Sequence, residues 1–110
     1  MVWFIEQLQK EDLRYVVRMV RTSILNISPR FYNQEQLTAW ADGVNNDPHL
    51  HQRFLNAYSL IAKDGDHHII GFASLIGAHI DFLYVAADRQ REGIATQLLY
   101  FLEEQAKKDV

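Results

Sequence analysis

The sequence lacks cysteine altogether, has only two prolines among its 110 residues, and contains no long uninterrupted apolar run. Without cysteine, a disulfide framework, a thiolate zinc site and a cysteine nucleophile are excluded. A membrane helix needs about 18 consecutive apolar residues, and no basic region precedes an apolar stretch near the start of the chain. We therefore expect a cytoplasmic protein without a signal peptide or a membrane partner.

Basic residues are not in excess either. The formal net charge is −3 and the pI is about 5.9, whereas domains that grip nucleic acid usually carry a basic face. Nucleic acid is therefore not the expected partner, and an anionic ligand must be held by a local arrangement of groups. Because no repeat or Gly/Ser/Pro-rich linker interrupts the chain, residues 1–110 are expected to form a single domain.

Helical patterns occupy much of the first half of the chain. Apolar residues recur at spacings of three and four within 11–24, with arginines between them, which predicts an amphipathic helix. Asn33 stands three residues before Gln36, and this spacing predicts a capping box at the start of a second helix. Residues 42–48 are predicted to form a loop, followed by a short helical turn over 48–54 that begins at a proline.

Strand-like runs dominate the second half. Asp64 and Gly65 lie between two of these runs and predict a hairpin. A last amphipathic helix begins at Gly93, giving the order β-α-α-β-β-β-α. This order predicts an α/β domain of the α+β type, with a mixed, largely antiparallel sheet and flanking helices. The strands are predicted at residues 2–7, 57–62, 68–76 and 78–86.

The junction before the last helix, DRQREGIAT at 88–96, has the chemistry of an anion site. A helix N-terminus exposes unpaired N–H groups and a partial positive charge, which attract phosphate. Gly93 can adopt a positive φ, and Gly93 and Ala95 leave no bulk in front of the backbone. Gln90 and Arg91 add side-chain donors. The junction therefore predicts a diphosphate site, the alternative being a solvated turn in which Gly93 only makes a tight connection.

QREGIA, residues 90–95, resembles the Q/R-x-x-G-x-G/A signature of the GCN5-related N-acetyltransferase (GNAT) superfamily. The preceding LYVAADR resembles the end of that family's fourth strand, and the order of elements is similar to the family's over the whole chain. FYNQEQLTAWA, at 31–41, is similar to the second helix of a branch of bacterial acetyltransferases related to YafP. The resemblance therefore implies a partial GNAT fold.

The resemblance also implies a function. The chain would transfer an acetyl group from acetyl-CoA to a primary amine of a small molecule or peptide by direct attack, without a metal. The first alternative is a truncated, catalytically inactive GNAT-like module that binds CoA or serves as a dimeric interaction module. A weaker alternative is a regulatory domain for another phosphate ligand.

Cofactor contacts follow from the resemblance residue by residue. The pantetheine arm of acetyl-CoA would pair with backbone groups of Leu83 and Val85. The pyrophosphate would lie on the signature loop, whose implied contacts are Gln90, Arg91, Glu92, Gly93, Ile94, Ala95 and Thr96.

Acetyl transfer to an amine benefits from a base, because only the unprotonated amine is a nucleophile. Strand alternation predicts that His79, Asp81, Leu83 and Val85 share one face, with Tyr84 on the other. His79 lies where several family members carry a carboxylate base, and Asp81 would orient it or act through water. The alternative is that His79 is a solvated strand-end residue and that Asp81 caps a turn.

Aromatic residues near the second helix are candidates for the acceptor site. Phe31, Tyr32 and Trp40 lie where the family's substrate choice is shaped, although core packing is the favoured alternative for Trp40. No metal is expected, because the histidines show no spacing of a known zinc helix. The histidines considered for this are His49, His51, His67 and His68.

The sequence departs from the family after the signature helix. The family's catalytic domain normally continues with a fifth strand, another helix and a final strand pair, and the tyrosine that often protonates the departing thiolate follows the fifth strand. The resemblance therefore implies a truncated domain. Its last strand would have an unpaired edge, which invites pairing, so we expect a homodimer that covers this edge.

Overall fold

The computed structural model describes residues 3–108 and confirms the predicted α+β class. One further helix, α3, forms where only a helical turn was predicted. Single 3₁₀ turns precede α1, at Lys10–Asp12, and follow β4, at Ala87–Arg89. The elements are β1 (Trp3–Gln7), α1 (Leu13–Leu25), α2 (Gln34–Asn46), α3 (Pro48–Asn56), β2 (Tyr58–Asp64), β3 (Ile69–Ile76), β4 (His79–Val85) and α4 (Ile94–Lys108).

The four strands form one sheet in the order β1-β2-β3-β4, and every pairing among the described residues is antiparallel. Side chains of α1, α2 and α3 bury one face, where Phe72 of β3 is fully covered. Helix α4 buries the other face with Ile94, Leu98 and Leu102, which pack against Ala73. None of the helices described between residues 3 and 108 is long and apolar enough to cross a membrane.

The start of α2 has the predicted capping box. The Gln36 N–H donates to the Asn33 side chain at 2.8 Å, and the Asn33 N–H donates to the Gln36 side chain at 2.9 Å. The loop predicted at 42–48 is wrong over most of its length, because α2 continues through it. Ala41 and Val44 are buried three residues apart, and this packing outweighs the low helix propensity of the glycine and asparagines around them.

Gly71 of β3 sets how closely α4 approaches the sheet. A Cβ at Gly71 would lie 2.9 Å from Ile94 Cγ2 and 3.1 Å from Leu98 Cδ1, closer than the 3.5–4.0 Å or so of ordinary carbon contacts. Only glycine allows the first turn of α4 to lie this close to the strand. The position of the helix N-terminus therefore depends on the absence of a side chain at this site.

Candidate functional site

The junction between β4 and α4 contains two residues in the left-handed region. Gly93 has φ +87°, as its role in the predicted turn requires, and Arg91 has φ +68°. Non-glycine residues rarely adopt this conformation, and the strain costs about 1–3 kcal/mol when they do. Such residues cluster at functional sites, where the surrounding structure holds them in place. The left-handed Arg91 could not be predicted from the sequence pattern.

The backbone amides of this loop have no hydrogen-bond acceptor among the residues that the structure describes. Within the described residues 3–108, no N–H group of residues 90–96 donates a hydrogen bond, and the first donor is Gln97, to the Gly93 carbonyl at 3.1 Å. A Cβ built on Gly93 meets no described atom within 4 Å. The loop therefore offers several main-chain donors and open space in front of them, the arrangement that binds anions at helix N-termini.

A cleft of about 470 Å³ adjoins the loop. Its walls are the C-terminal part of α1, the end of β4 and the start of α4. The cleft brings together four of the predicted cofactor residues, Leu83, Val85, Gln90 and Ala95. Ile94, by contrast, is buried with its side chain in the core, so only its backbone could contact a ligand.

Main-chain groups of β4 also point toward this cleft. The Ala86 N–H donates to the Ile70 carbonyl across the sheet at 2.9 Å. Because successive N–H groups of an antiparallel strand point to opposite sides, those of Leu83 and Val85 point to the outer edge. The Val85 carbonyl accordingly accepts from the Gln90 side chain at 2.9 Å rather than from β3. An extended ligand can pair with this edge.

Alternation along β4 is interrupted by a β-bulge. Ser74 lies opposite Phe82 and Leu75 lies opposite Ile80, so Asp81 is an extra residue without a cross-strand partner. The prediction that the four alternate residues share one face is therefore wrong. Leu83 and Val85 face α4. His79 lies opposite Ile76, which places it on the other face together with Tyr84.

Asp81 is bound by Arg53 of α3. The Arg53 Nε–H donates to Asp81 Oδ2 at 2.7 Å, and a second N–H donates to Oδ1. This hydrogen bond and the charge of Asp81 raise the pKa of the Arg53 guanidinium. The partner of the Asp81 carboxylate is thus Arg53, and no hydrogen bond joins Asp81 to His79 or to a turn amide among the described residues. His79 is exposed.

A second cleft, of about 570 Å³, lies at the end of the sheet where β4 begins. Arg53 lines it, together with Tyr58, Ile76 and Gly77. Because Asp81 compensates the charge of Arg53, the cleft has little net charge, and its other lining residues are mainly uncharged. The cleft lies near the bulge, at the opposite end of β4 from the loop.

The predicted acceptor aromatics are exposed. Phe31, Tyr32 and Trp40 have 72%, 44% and 41% of their surfaces accessible, and Tyr32 meets Trp40 edge-on with ring centroids 6.0 Å apart. Core packing of Trp40 is therefore wrong. None of the three lines the clefts described above. Contact with an acceptor remains a prediction.

The sequence did not single out Ser23 and Asn26 of α1, which line the cleft beside Val85. Their spacing of three residues places them on one side of the helix. Polar residues at such positions are common on solvated helix faces, so the pattern alone carried no signal. The Ser23 hydroxyl donates to the Val85 carbonyl at 3.4 Å.

Asp64, Asp66 and His68, around the β2–β3 hairpin, offer ligand atoms within 4.8 Å of one another. One Asp64 oxygen already accepts from the Asp66 and His68 amides, at 2.9 and 3.0 Å, and the other lies 3.4 Å from Arg89. These contacts account for the carboxylate without an ion. The expected absence of a metal stays a prediction.

A family model described as an acetyltransferase (GNAT) domain matches residues 30–110. Comparison with curated proteins found no match. Among solved structures, the chain is similar to a GCN5-related N-acetyltransferase, described as aminotransferase, class-II, from Rhodopseudomonas palustris. The two are 30% identical with a TM-score of 0.85, and the match covers 98% of this chain and 69% of that one.

Two further structures have the same fold. The paiA N-acetyltransferase from Thermoplasma acidophilum, solved in complex with coenzyme A, is 24% identical with a TM-score of 0.79, over 98% of this chain and 74% of that one. YncA, described as an acetyltransferase from Salmonella typhimurium with its cofactor acetyl-CoA, is 16% identical with a TM-score of 0.62, over 99% and 65%.

Proposed function

Because this chain belongs to the GNAT acetyltransferase family, we propose that it transfers an acetyl group from acetyl-CoA to a primary amine of a small molecule or peptide. The observation that carries the proposal is the set of amides at 90–96 that have no partner among residues 3–108 and open beside the edge of β4 that pairs with no described strand. The paiA and yncA structures, which hold coenzyme A and acetyl-CoA, support the choice of ligand.

The loop and strand fit two chemically different parts of the coenzyme. Amides following Gln90 would bind the diphosphate, with the Arg91 guanidinium as an additional donor. The edge groups of Leu83 and Val85 would pair with the amides of the pantetheine arm. When bound, acetyl-CoA supplies the acetyl group as an activated thioester. The chain itself would orient the thioester and the amine relative to each other, remove a proton from the amine and exclude water from the site.

At the other end of β4, we propose that His79 takes the proton of the attacking amine, directly or through water. Its exposed imidazole lies on the same face as Tyr84, and histidine is the side chain that most often acts as a general base. Asp81 would act through Arg53, which it holds beside the 570 Å³ cleft. Phe31, Tyr32 and Trp40 are proposed to contact the acceptor.

Calorimetry with CoA tests the cofactor site. Gly93→Ala is expected to raise the Kd for CoA about tenfold or more, since an alanine at this φ costs about 1–2 kcal/mol and relieving that strain moves the amides. Gly77→Ala is the matched control, because Gly77 also has a positive φ, +60°, but lies in the β3–β4 turn. Equal CoA affinity of the two variants would contradict the proposed diphosphate site.

Thiol release from acetyl-CoA on a panel of amines tests the chemistry. His79→Asn is expected to lower amine-dependent release without changing the Kd for CoA, whereas His67→Asn removes an exposed imidazole of the hairpin and should change neither. If wild-type protein binds CoA but no amine raises release above background, the enzyme assignment is wrong. If it binds neither CoA nor acetyl-CoA, the cofactor assignment is wrong as well.

An inactive CoA-binding or dimeric module is the second candidate, and the Arg53–Asp81 pair favours it because both carboxylate oxygens already accept hydrogen bonds from Arg53. We also propose homodimer formation through the β4 edge. Strand pairing and pantetheine binding would use the same N–H groups of Leu83 and Val85. Sedimentation with and without CoA tests whether a dimer forms through this edge. An edge-paired dimer should dissociate when CoA is added. A protein that is monomeric at all concentrations contradicts the proposed dimer.

A further inference from the structure

Arg89, just ahead of the signature loop, connects that loop to the β2–β3 hairpin. Its Nε–H donates to Glu92 Oε2 at 2.9 Å, and its Nη1 lies 3.4 Å from Asp64 Oδ2. All three side chains are largely covered, with 21%, 15% and 12% of their surfaces accessible for Arg89, Glu92 and Asp64. Burial of this kind makes charge pairing stronger than on an open surface.

The hairpin end of this connection is rigidly held. One oxygen of Asp64 accepts the backbone N–H groups of Asp66 and His68, and β2 and β3 continue directly into the sheet. Arg89 therefore lies between a fixed carboxylate and one that belongs to the loop. A guanidinium can bind both carboxylates at once, because its N–H groups lie in one plane and point in different directions.

Glu92 poses an electrostatic problem for an anion site. It directly precedes Gly93, and its Oε1 is buried without a hydrogen-bond partner among the described residues. A carboxylate beside a diphosphate repels it, and the repulsion is greater in partly buried surroundings. Holding this carboxylate against a cation, and away from the loop amides, removes the conflict.

We propose that Arg89 is a positioning residue: it neutralises Glu92 and ties it to Asp64, so that the amides of 90–96 stay open to the diphosphate of the coenzyme. The inference rests on the proposed function. Arg89 does not line the cleft beside Val85 and acts on the ligand only through the loop.

A double-mutant cycle tests this role. Arg89→Ala should raise the Kd for CoA about tenfold or more, the effect of losing a charge-assisted hydrogen bond. Glu92→Gln alone keeps the backbone amide that is proposed to contact the diphosphate and should have a small effect. In the double variant the unpaired carboxylate is gone, so most of the CoA affinity should return. Arg21→Ala, which breaks the exposed Arg21–Asp42 pair, is the matched control and should leave the Kd unchanged.

The second readout uses acetyl-pantetheine, which lacks the diphosphate. Its amine-dependent thiol release should be the same in wild type, Arg89→Ala and the double variant. The loop is proposed to contact only the diphosphate, which acetyl-pantetheine lacks, so a change in the loop should not alter this release. Arg89→Lys keeps the charge but loses the fork geometry and should fall between wild type and Arg89→Ala. This variant also keeps the test open if alanine at this position prevents folding.

Three results would overturn the inference. Wild-type affinity of Arg89→Ala for CoA removes the role altogether. A double variant as weak as Arg89→Ala shows that neutralising the Glu92 charge is not how Arg89 supports CoA binding. Loss of acetyl-pantetheine turnover together with CoA binding shows a general structural role. By contrast, wild-type protein that binds no CoA refutes the proposed function, and the inference fails with it.

Discussion

Replacing Gly71 by alanine is expected to displace the start of α4 and to weaken the coenzyme site at the same time. The added methyl would lie 2.9 Å from Ile94 Cγ2, 3.1 Å from Leu98 Cδ1 and 3.3 Å from Ala62 Cβ. Ordinary carbon contacts are about 3.5–4.0 Å, so the closest pair, 2.9 Å apart, must separate by roughly 0.6–1.1 Å. None of the three neighbours belongs to a loop that can simply move aside, because they lie in α4 and β2.

The two closest neighbours respond differently. Leu98 offers the far end of a flexible side chain, but Ile94 Cγ2 is attached to Cβ, and isoleucine in a helix has one strongly preferred χ1. The first turn of α4 must therefore shift. Overpacking of this kind costs about 1–3 kcal/mol, partly offset by the 0.4–1 kcal/mol or so that alanine contributes by restricting the unfolded chain. We expect a net loss of about 1–2 kcal/mol.

Thermal unfolding and CoA calorimetry measure the two consequences. For a domain of this size a loss of 1 kcal/mol lowers Tm by about 4–8 °C. The Kd for CoA should rise as well, because the helix N-terminus carries the amides of the loop. Gly65→Ala is the control, since a Cβ there meets no described atom within 4 Å. If Gly71→Ala matches this control in Tm and Kd, the argument that Gly71 positions α4 is refuted.

Three further predictions concern stability. His67→Val should lose about 1–2 kcal/mol in urea unfolding, because His67 has φ +65° and a β-branched residue is strained there, whereas His68→Val should stay within about 0.5 kcal/mol of wild type. Gly43→Ala should gain about 0.5–1 kcal/mol, since Gly43 lies inside α2 with open space around it; a loss would contradict this. The amides of His68 and Asp66 lower the pKa of Asp64, so its stabilising contribution is present above the unfolded pKa of about 3.9 and is lost as pH falls through the folded value. The Tm difference between wild type and Asp64→Asn should therefore shrink below about pH 4, and a constant difference down to pH 2 or so would refute the assignment.

Local signals accounted for most of the fold. The capping box at Asn33 and the glycine junction at Gly93 each depend on a few neighbouring residues, and periodicity identified every strand between residues 3 and 108. Residues 42–48 were predicted wrongly because Gly43 and the asparagines favour a loop locally, while burial of Val44 against α1 is a tertiary effect. Contacts between elements are what a single sequence conveys least.

The bulge at Asp81 is the most consequential of the features that the sequence concealed. Strand alternation is an intrastrand rule, but the bulge depends on how β3 and β4 pair. One extra residue reverses the face of everything beyond it. His79 and Tyr84 consequently share a face, although an unbroken pleat would separate them. The Arg53–Asp81 pair could not be predicted either, since its members lie 28 residues apart.

The two halves of β4 differ in what they would contribute, and Val85 allows this to be tested. Near the loop, the proposed contacts are main-chain groups that almost any residue supplies, so Val85→Ala should keep CoA affinity. Val85→Pro removes the edge N–H, which proline tolerates on an edge strand, and should weaken CoA binding about three- to tenfold, the effect of one hydrogen bond. Tyr84→Pro removes an N–H that points to β3 and should unfold the protein instead. Equal CoA affinity of the alanine and proline variants at position 85 would show that this backbone edge does not hold the coenzyme.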